Sequence, residues 1–401
     1  MSGMVIIGAG HAAGQAAASL RQEKYEGPIT IIGDEPHIPY QRPPLSKQYL
    51  SGDQGIERVY LRPEKFYAEK DIDLILNTRA TRIERTAKTV TLEDGQVLDY
   101  DKLIISTGSR PRMLNIQGSD LAGIHYLRTI ADVDRIRQEM QTARKLIIVG
   151  GGYIGLEVAS VGIAAGLEVH VLEMEQRILQ RVTTPQMSEY YHNLHTGRGV
   201  NIHTATAVTG FTGSERVEQV LCADTAMEAD LVIVGIGIIP NTELAEEAGL
   251  AVDNGIVVDE HCRTSDPDIY AAGDCTNHPN ALLNRRLRLE SVPNAMEQAR
   301  VCASNMLDGD KTYASIPWFW SDQYELKLQM VGFSADGDDQ VVRGDMSSDA
   351  FAVFYLQDGN VVAADAVNSP KEFMICKQLI GKSVDPATLA DATTDLKSLL
   401  A

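Results

Sequence analysis

The sequence predicts an α/β chain made of two units of one plan, strand, glycine-rich turn, helix and strand, followed by a smaller α+β domain. Two observations carry this. The plan occurs twice, first as MVIIGAGHAAGQAAASLRQ with ITIIGDE from Met4 to Glu35, then as KLIIVGGGYIGLEVASVGIAAG with LEVHVLEME from Lys145 to Glu175. Near Ile316 the character changes to alternating, aromatic-rich runs, PWFWSDQYELKLQMVG and FAVFYLQDGNVVAADAVN.

Each copy opens on a short β-rich apolar run, as a buried parallel strand does, and continues in an alanine- and leucine-rich stretch suited to a helix. The segments ADLVIVGIG, GIVVDE and IYAAGD are three further strand candidates, expected to complete both sheets. The alternation around Asp358 and Gly359 predicts a tight hairpin in the C-terminal domain.

Composition bounds the function. Hydrophobic residues make up 44% and charged residues 23% of 401 positions, the signature of folded domains, and the length calls for two or three of them. No apolar run reaches bilayer length and no signal-peptide pattern opens the chain, so a cytoplasmic protein without membrane contact is expected. The net charge of −19 argues against nucleic acid. Five cysteines, Cys222, Cys262, Cys275, Cys302 and Cys376, are scattered without a Cys-x-x-Cys pair, which speaks against a disulfide framework, a metal site or an internal cluster.

In the first copy Gly8, Gly10 and Ala13 fit Gly-x-Gly-x-x-Gly/Ala, and Glu35 follows at the end of the next strand. Such glycines let backbone N–H groups approach a pyrophosphate at a helix N-terminus, and the acid accepts from ribose hydroxyls. The second copy has Gly150, Gly152 and Gly155, with Glu173 in the acidic position and Glu175 near it. Two dinucleotide sites of the Rossmann type are therefore expected. Like charges about 4 Å apart at an effective dielectric of about 20 repel by roughly 4 kcal/mol, so Glu173 should reject a 2′-phosphate and select NADH over NADPH. Glu173 also reads as a solvated strand-end acid.

The chain resembles the pyridine-nucleotide-dependent flavoprotein reductases with two dinucleotide-binding domains, most nearly ferredoxin reductases of the putidaredoxin-reductase type. The resemblance runs over essentially the whole chain through IIGDEPHIPYQRPPLSK, LIISTGSRPR, VGGGYIGLE, GIGIIPN, IYAAGDC, LESVPNAMEQAR and PWFWSDQY. It implies a glutathione-reductase-like architecture: an FAD-binding domain from 1–112 and 241–315, an NAD-binding domain from 113–240, and a C-terminal α+β domain from 316–401.

It also implies one non-covalent FAD per chain, touched by Arg42, Lys47, Thr107, Gly108, Arg128, Asp274, Val292 and Trp320 beside the first glycine turn. Tyr153, Ile154, Glu157 and Gly237 would join the NAD set, and Lys47, Glu157 and Trp320 would be catalytic. The lysine and glutamate would orient the two reacting rings, and Trp320 would cover the flavin toward the docking face. The aromatic run containing Trp320 equally suits a domain-interface core. Ser291, Val292 and Pro293 place a helix N-terminus toward the flavin, and they also read as a plain capped helix start.

By resemblance the activity is NADH-dependent ferredoxin reduction, with electrons reaching a 2Fe–2S ferredoxin that serves a haem monooxygenase or a ring-hydroxylating dioxygenase. Rubredoxin reductase and NADH oxidase are the near alternatives, and an NADH-sensing signalling flavoprotein resembling apoptosis-inducing factor is the distant one. An acidic chain needs a local basic patch to meet an acidic ferredoxin, and Arg285, Arg286 and Arg288 form the densest cluster, which also reads as a solvated loop. A monomer or weak dimer is expected.

Overall fold

The computed structural model describes residues 2–400 and divides the chain into two compact units. The first comprises residues up to Gln41, Gly55–Arg110 and Ile238–Pro317. The second comprises Arg42–Gln54, Pro111–Gly237 and Trp318 onward, so the stretch bearing Arg42 and Lys47 packs with the second glycine turn.

The first unit is built on a seven-stranded sheet. Ile72–Ile75, Ile29–Ile32, Gly3–Ile7, the C-terminal half of Val97–Ile105, and Ile269–Ala271 run parallel in that order. The N-terminal half of Val97–Ile105 turns outward to pair antiparallel with Thr89–Leu92, which continues to Ala80–Glu84. One nine-residue strand thus serves a buried parallel core and an antiparallel extension that buries only one face, through Ile83, Val90 and Leu92. Its burial follows: Leu103, Ile104 and Ile105 are fully buried, whereas Val97 is exposed.

Helices His11–Gln22 and Val292–Asn305 pack against each other over this sheet through Ala13, Ala16, Ala17, Ala299 and Ala303. Small side chains permit that approach, and they also raise helix propensity. Ser291 caps the second helix by accepting from the Asn294 N–H at 3.3 Å, with Pro293 in the first turn. The capped-start reading of SVPNAMEQAR is realised.

The three strand candidates expected to complete the two sheets do not all do so. Ile269–Ala271 completes the first sheet and Leu231–Val234 the second, but Ile256–Val257 joins neither. It pairs with Thr276–Asn280 in a small sheet extended by Arg285–Leu287. Two residues are too few to cross a core, and the polar flanks of GIVVDE suit an edge.

The second unit holds a five-stranded parallel sheet in the order Asn201–His203, Glu168–Leu172, Lys145–Val149, Leu231–Val234, Ile124–Tyr126. It also holds a five-stranded antiparallel sheet from Trp318–Gln323, Leu326–Gly332, Asn360–Val367, Ala350–Gln357 and Asp339–Asp345. Asp358 and Gly359 form the predicted two-residue turn, both at positive φ (51° and 76°) as a type I′ hairpin requires. Leu156 and Tyr191 from the parallel layer share one apolar cluster with Leu328, Phe351 and Val353 from the antiparallel sheet. Helix Tyr153–Ala164 is consequently apolar on nearly all sides and packs against Trp318–Gln323.

Candidate functional site

Both glycine turns have the geometry their sequence predicts. Gly8 and Gly150 end their strands at φ 106° and 110°. A Cβ at either would lie 2.2 Å from the Ser106 carbonyl oxygen or 2.4 Å from that of Gly235, so only glycine fits. Gly10 and Gly152 cap the following helices without a side-chain hydrogen bond, and a Cβ on either would meet nothing within 4 Å. Two helix N-termini therefore offer backbone N–H groups to open space, the donor set a pyrophosphate needs. Ala13 is fully buried behind the first turn, and Gly155 lies against the Gly150 carbonyl behind the second.

In the first unit Glu35 sits at the end of the second strand, and its carboxylate accepts from the Tyr40 hydroxyl at 2.7 Å. Thr107 and Gly108 clasp Asn241. The Thr107 hydroxyl donates to the Asn241 carbonyl at 2.7 Å, the Asn241 side-chain amide donates to the Thr107 carbonyl at 2.9 Å, and the Asn241 N–H donates to the Gly108 carbonyl at 3.0 Å. Asp274 accepts from the Ser109 hydroxyl at 2.9 Å, and the neighbouring Gly273 N–H donates to Gln298 at 2.8 Å. Val292, half-buried, begins the helix capped by Ser291. Glu35, Thr107, Gly108, Asp274 and Val292 thus all belong to the first unit together with Gly8, Gly10 and Ala13.

The three arginines of the basic cluster are not equivalent. Arg286 donates to the carbonyls of Val258 and Asn277 at 2.7 and 2.5 Å, a strap for the small sheet. Arg288 donates to the Glu290 carboxylate at 2.6 Å and to Asn254 at 3.2 Å. The patch carries less uncompensated charge than its sequence suggests, and Arg285 opens its strand with an exposed side chain.

In the second unit Glu173 is held by the turn itself. Its two carboxylate oxygens accept from the Gly151 N–H at 2.7 Å and the Glu175 N–H at 2.9 Å, which excludes a loosely solvated strand-end acid. Glu175 accepts from Gln180 at 2.9 Å. Ile154 is exposed on the first turn of the helix, and Gly237 adopts φ 107° where its carbonyl accepts from the Arg112 N–H at 2.9 Å. Tyr153 directs its hydroxyl to the Met330 sulfur at 2.9 Å. Arg42 donates to the Arg128 carbonyl at 2.7 Å, bringing two of the expected flavin contacts together.

Lys47 and Glu157 form an ion pair at 2.6 Å, with side chains only 10% and 3% exposed. Glu157 lies one turn into the helix that Gly152 caps, so the pair is anchored directly behind the second glycine turn. The Glu157 carboxylate also accepts from Ser46 at 2.5 Å on the oxygen facing Lys47 and from Ser321 at 2.6 Å on the other. Four side chains from three separated stretches converge there. Ser46 and Ser321 escaped the sequence reading, although the alternation in WFWSDQ contains the signal: Phe319, Ser321 and Gln323 share the face opposite Trp318 and Trp320. On that opposite face the rings of Trp318 and Trp320 lie 5.8 Å apart, and Trp318 packs 5.9 Å from Phe373 under the Lys377 ammonium.

Residues 2–299 match the pyridine nucleotide-disulphide oxidoreductase family, and residues 318–400 match the reductase C-terminal family. The chain belongs to the pyridine nucleotide-disulphide oxidoreductase family. It is 46% identical to putidaredoxin reductase CamA of Pseudomonas putida over 99% of this chain and 96% of that protein. It is 44% identical to the ferredoxin–NAD(+) reductase component of the anthranilate 1,2-dioxygenase system of Burkholderia cepacia, over 99% and 98%. The crystal structure of the covalent putidaredoxin reductase–putidaredoxin complex matches with a TM-score of 0.96 at 46% identity, covering 100% of this chain and 98% of that one.

Despite the disulphide in the name of this oxidoreductase family, the chain has no cysteine before Cys222, and all five thiols are free. Burial pushes the Cys275 thiol up to about 11 and the Cys376 thiol up to about 12, the opposite of an activated thiolate.

Proposed function

We propose that this oxidoreductase is an FAD-dependent NADH:ferredoxin reductase. The observation that carries the proposal is the buried Lys47–Glu157 pair behind a glycine turn suited to NAD, in a chain without a redox-active cysteine pair. Its relatives' names point to small iron–sulfur acceptors.

The residues present fit two dinucleotides. In the first unit the open helix start at Gly10 would receive the FAD pyrophosphate and Glu35 the adenosine ribose, with Thr107, Gly108, Asp274 and Val292 further along the cofactor. Arg42, Lys47, Arg128 and Trp320 would complete the flavin's surroundings. In the second unit the helix start at Gly152 would receive the NADH pyrophosphate and Glu173 its ribose, with Tyr153, Ile154, Glu157 and Gly237 lining the nicotinamide half. This assignment makes 1–112 with 241–315 the FAD-binding part, 113–240 the NAD-binding part and 316–401 the C-terminal part.

FAD held there would supply the chemistry that takes an electron pair with the hydride of NADH and gives single electrons onward. The balance is one NADH and two oxidised ferredoxins giving NAD⁺, a proton and two reduced ferredoxins. Lys47 and Glu157 orient the reacting rings. Ser46 and Ser321 hold the carboxylate, so that little reorganisation is needed as charge shifts. Among the described residues no helix is long and apolar enough to cross a membrane, which suits the cytoplasmic location we propose.

Purified protein should be yellow with one FAD per chain, and Asp274→Ala should lose most of it. A charge-assisted hydrogen bond contributes roughly 1.5 to 3 kcal/mol, a tenfold or greater loss of affinity. Colourless wild-type protein that cannot be reconstituted with FAD would overturn the proposal.

A further inference from the structure

Behind Glu157 a line of buried polar side chains leads away from the ion pair. Ser321 bonds Glu157 at 2.6 Å, Gln323 bonds Ser321 at 3.2 Å, His195 bonds Gln323 at 2.8 Å, and Tyr324 bonds His195 at 3.2 Å. Ser321, Gln323 and His195 are each no more than 1% exposed. These residues come from helix Pro185–Gly197 and from strand Trp318–Gln323 with the residue that follows it.

The charge on Glu157 fixes the direction of every bond. A carboxylate only accepts, so the Ser321 hydroxyl must donate its single proton to Glu157. Ser321 is then left as an acceptor toward Gln323, which must present its amide NH₂ there and its carbonyl toward His195. That carbonyl demands a proton on His195 Nε2, and the neutral ring leaves Nδ1 to accept from the Tyr324 hydroxyl. All four bonds run one way and end on the same carboxylate oxygen, so their dipoles reinforce one another. Burial pushes the His195 imidazole down to about 4, with the Gln323 carbonyl opposing the shift and nearby His192 adding to it. The ring therefore stays neutral, as the chain requires.

We propose that Ser321, Gln323 and His195 are positioning residues for hydride transfer, a one-way hydrogen-bond chain that fixes the orientation of the Glu157 carboxylate. The inference rests on the reading of Glu157 as part of the hydride-transfer site. The chain is no proton wire, because the Gln323 amide cannot pass a proton on without changing form. Its effect is electrostatic and geometric. Lys47 and Ser46 grip one carboxylate oxygen, and the chain holds the other, so the carboxylate cannot rotate about its own axis.

The test uses the FAD-loaded protein and stopped-flow measurement of flavin reduction across a range of NADH concentrations. Gln323→Met preserves size and removes both bonds. It should lower the limiting reduction rate about fivefold, because of the two lost bonds only the one to Ser321 leads toward Glu157, while the Kd for NADH changes less than about twofold. Ser321→Ala, which removes the hydroxyl that bonds Glu157 directly, should show at least the same loss and carries the test if the methionine variant folds poorly. In a Glu157→Gln background neither substitution should slow the reaction further, because the chain acts only through that carboxylate. A Gln323 substitution without effect in the wild-type background, while Glu157→Gln slows reduction, overturns the inference alone. So does an equal loss in both backgrounds, which would mark a merely structural role. A Glu157→Gln protein reduced as fast as wild type overturns the placement of Glu157 and the inference with it.

Discussion

Lys47 and Glu157 meet at 2.6 Å in a site where the lysine side chain is 10% and the glutamate 3% exposed, and two serine hydroxyls complete the carboxylate's coordination. A pair so enclosed is expensive to desolvate, and its attraction offsets that cost only because the two hydroxyls satisfy the carboxylate's remaining lone pairs.

Lys47→Ala strands a buried carboxylate with only Ser46 and Ser321 as partners. Truncating one member of a buried pair costs about 3 kcal/mol of stability. Denaturant unfolding should show that loss, and stopped flow should show flavin reduction slowed at least about tenfold while FAD stays bound. An unchanged reduction rate would leave Lys47 with a structural role only.

Glu173→Ala removes the acceptor of the Gly151 N–H together with the negative charge at the ribose end. The kcat/KM for NADH should fall about tenfold, and the handicap of NADPH should shrink as repulsion of its 2′-phosphate is relieved. Steady-state comparison of both nucleotides checks this. Equal use of the two by the unmutated protein would contradict the assignment.

The glycine turns and the Asp358–Gly359 hairpin were legible in the sequence because each is dictated by residues next to one another. The pairing of Lys47 with Glu157 came from resemblance, and no local pattern predicts it. Ser46 and His195 stayed invisible because their partners lie more than a hundred positions away, and the alternation in WFWSDQ sets Ser321 and Gln323 on one face without stating what that face meets. Ile256–Val257 was misplaced for a related reason: a short apolar run states that it is a strand and not which sheet takes it. The basic cluster shows the limit of counting charges, since Arg286 and Arg288 are largely engaged within their own unit.

Asp365 offers a test of stability against pH. Burial raises its carboxyl to about 6, opposed by hydrogen bonds from Tyr355 and Thr183. The folded protein therefore holds this proton at pH values where the unfolded chain, near 4, has lost it, and stability falls as pH rises from about 4 to about 6. The two-unit difference corresponds to about 3 kcal/mol. Asp365→Asn should flatten this segment of the stability profile and raise Tm at pH 7. A profile of the same slope in both proteins would show that Asp365 titrates normally.

Arg288→Glu would place two acids side by side where Arg288 now pairs with Glu290. If this edge meets an acidic ferredoxin, the KM for ferredoxin should rise while NADH-to-ferricyanide activity is kept. The wild-type association rate should fall with salt as the Debye length shrinks from about 10 Å at 0.1 M to about 3 Å at 1 M. Ferredoxin kinetics indifferent to the reversal and to salt would move docking to another face.

The most direct test mixes the FAD-loaded protein rapidly with NADH and a 2Fe–2S ferredoxin from the same genome, following flavin and iron–sulfur absorbance together. The proposed function predicts fast bleaching of the flavin, then reduction of two ferredoxins for each NADH consumed. Slow reduction leaving a long-lived NAD-bound charge-transfer state would contradict it, as would electrons that reach dioxygen or a rubredoxin faster than any ferredoxin.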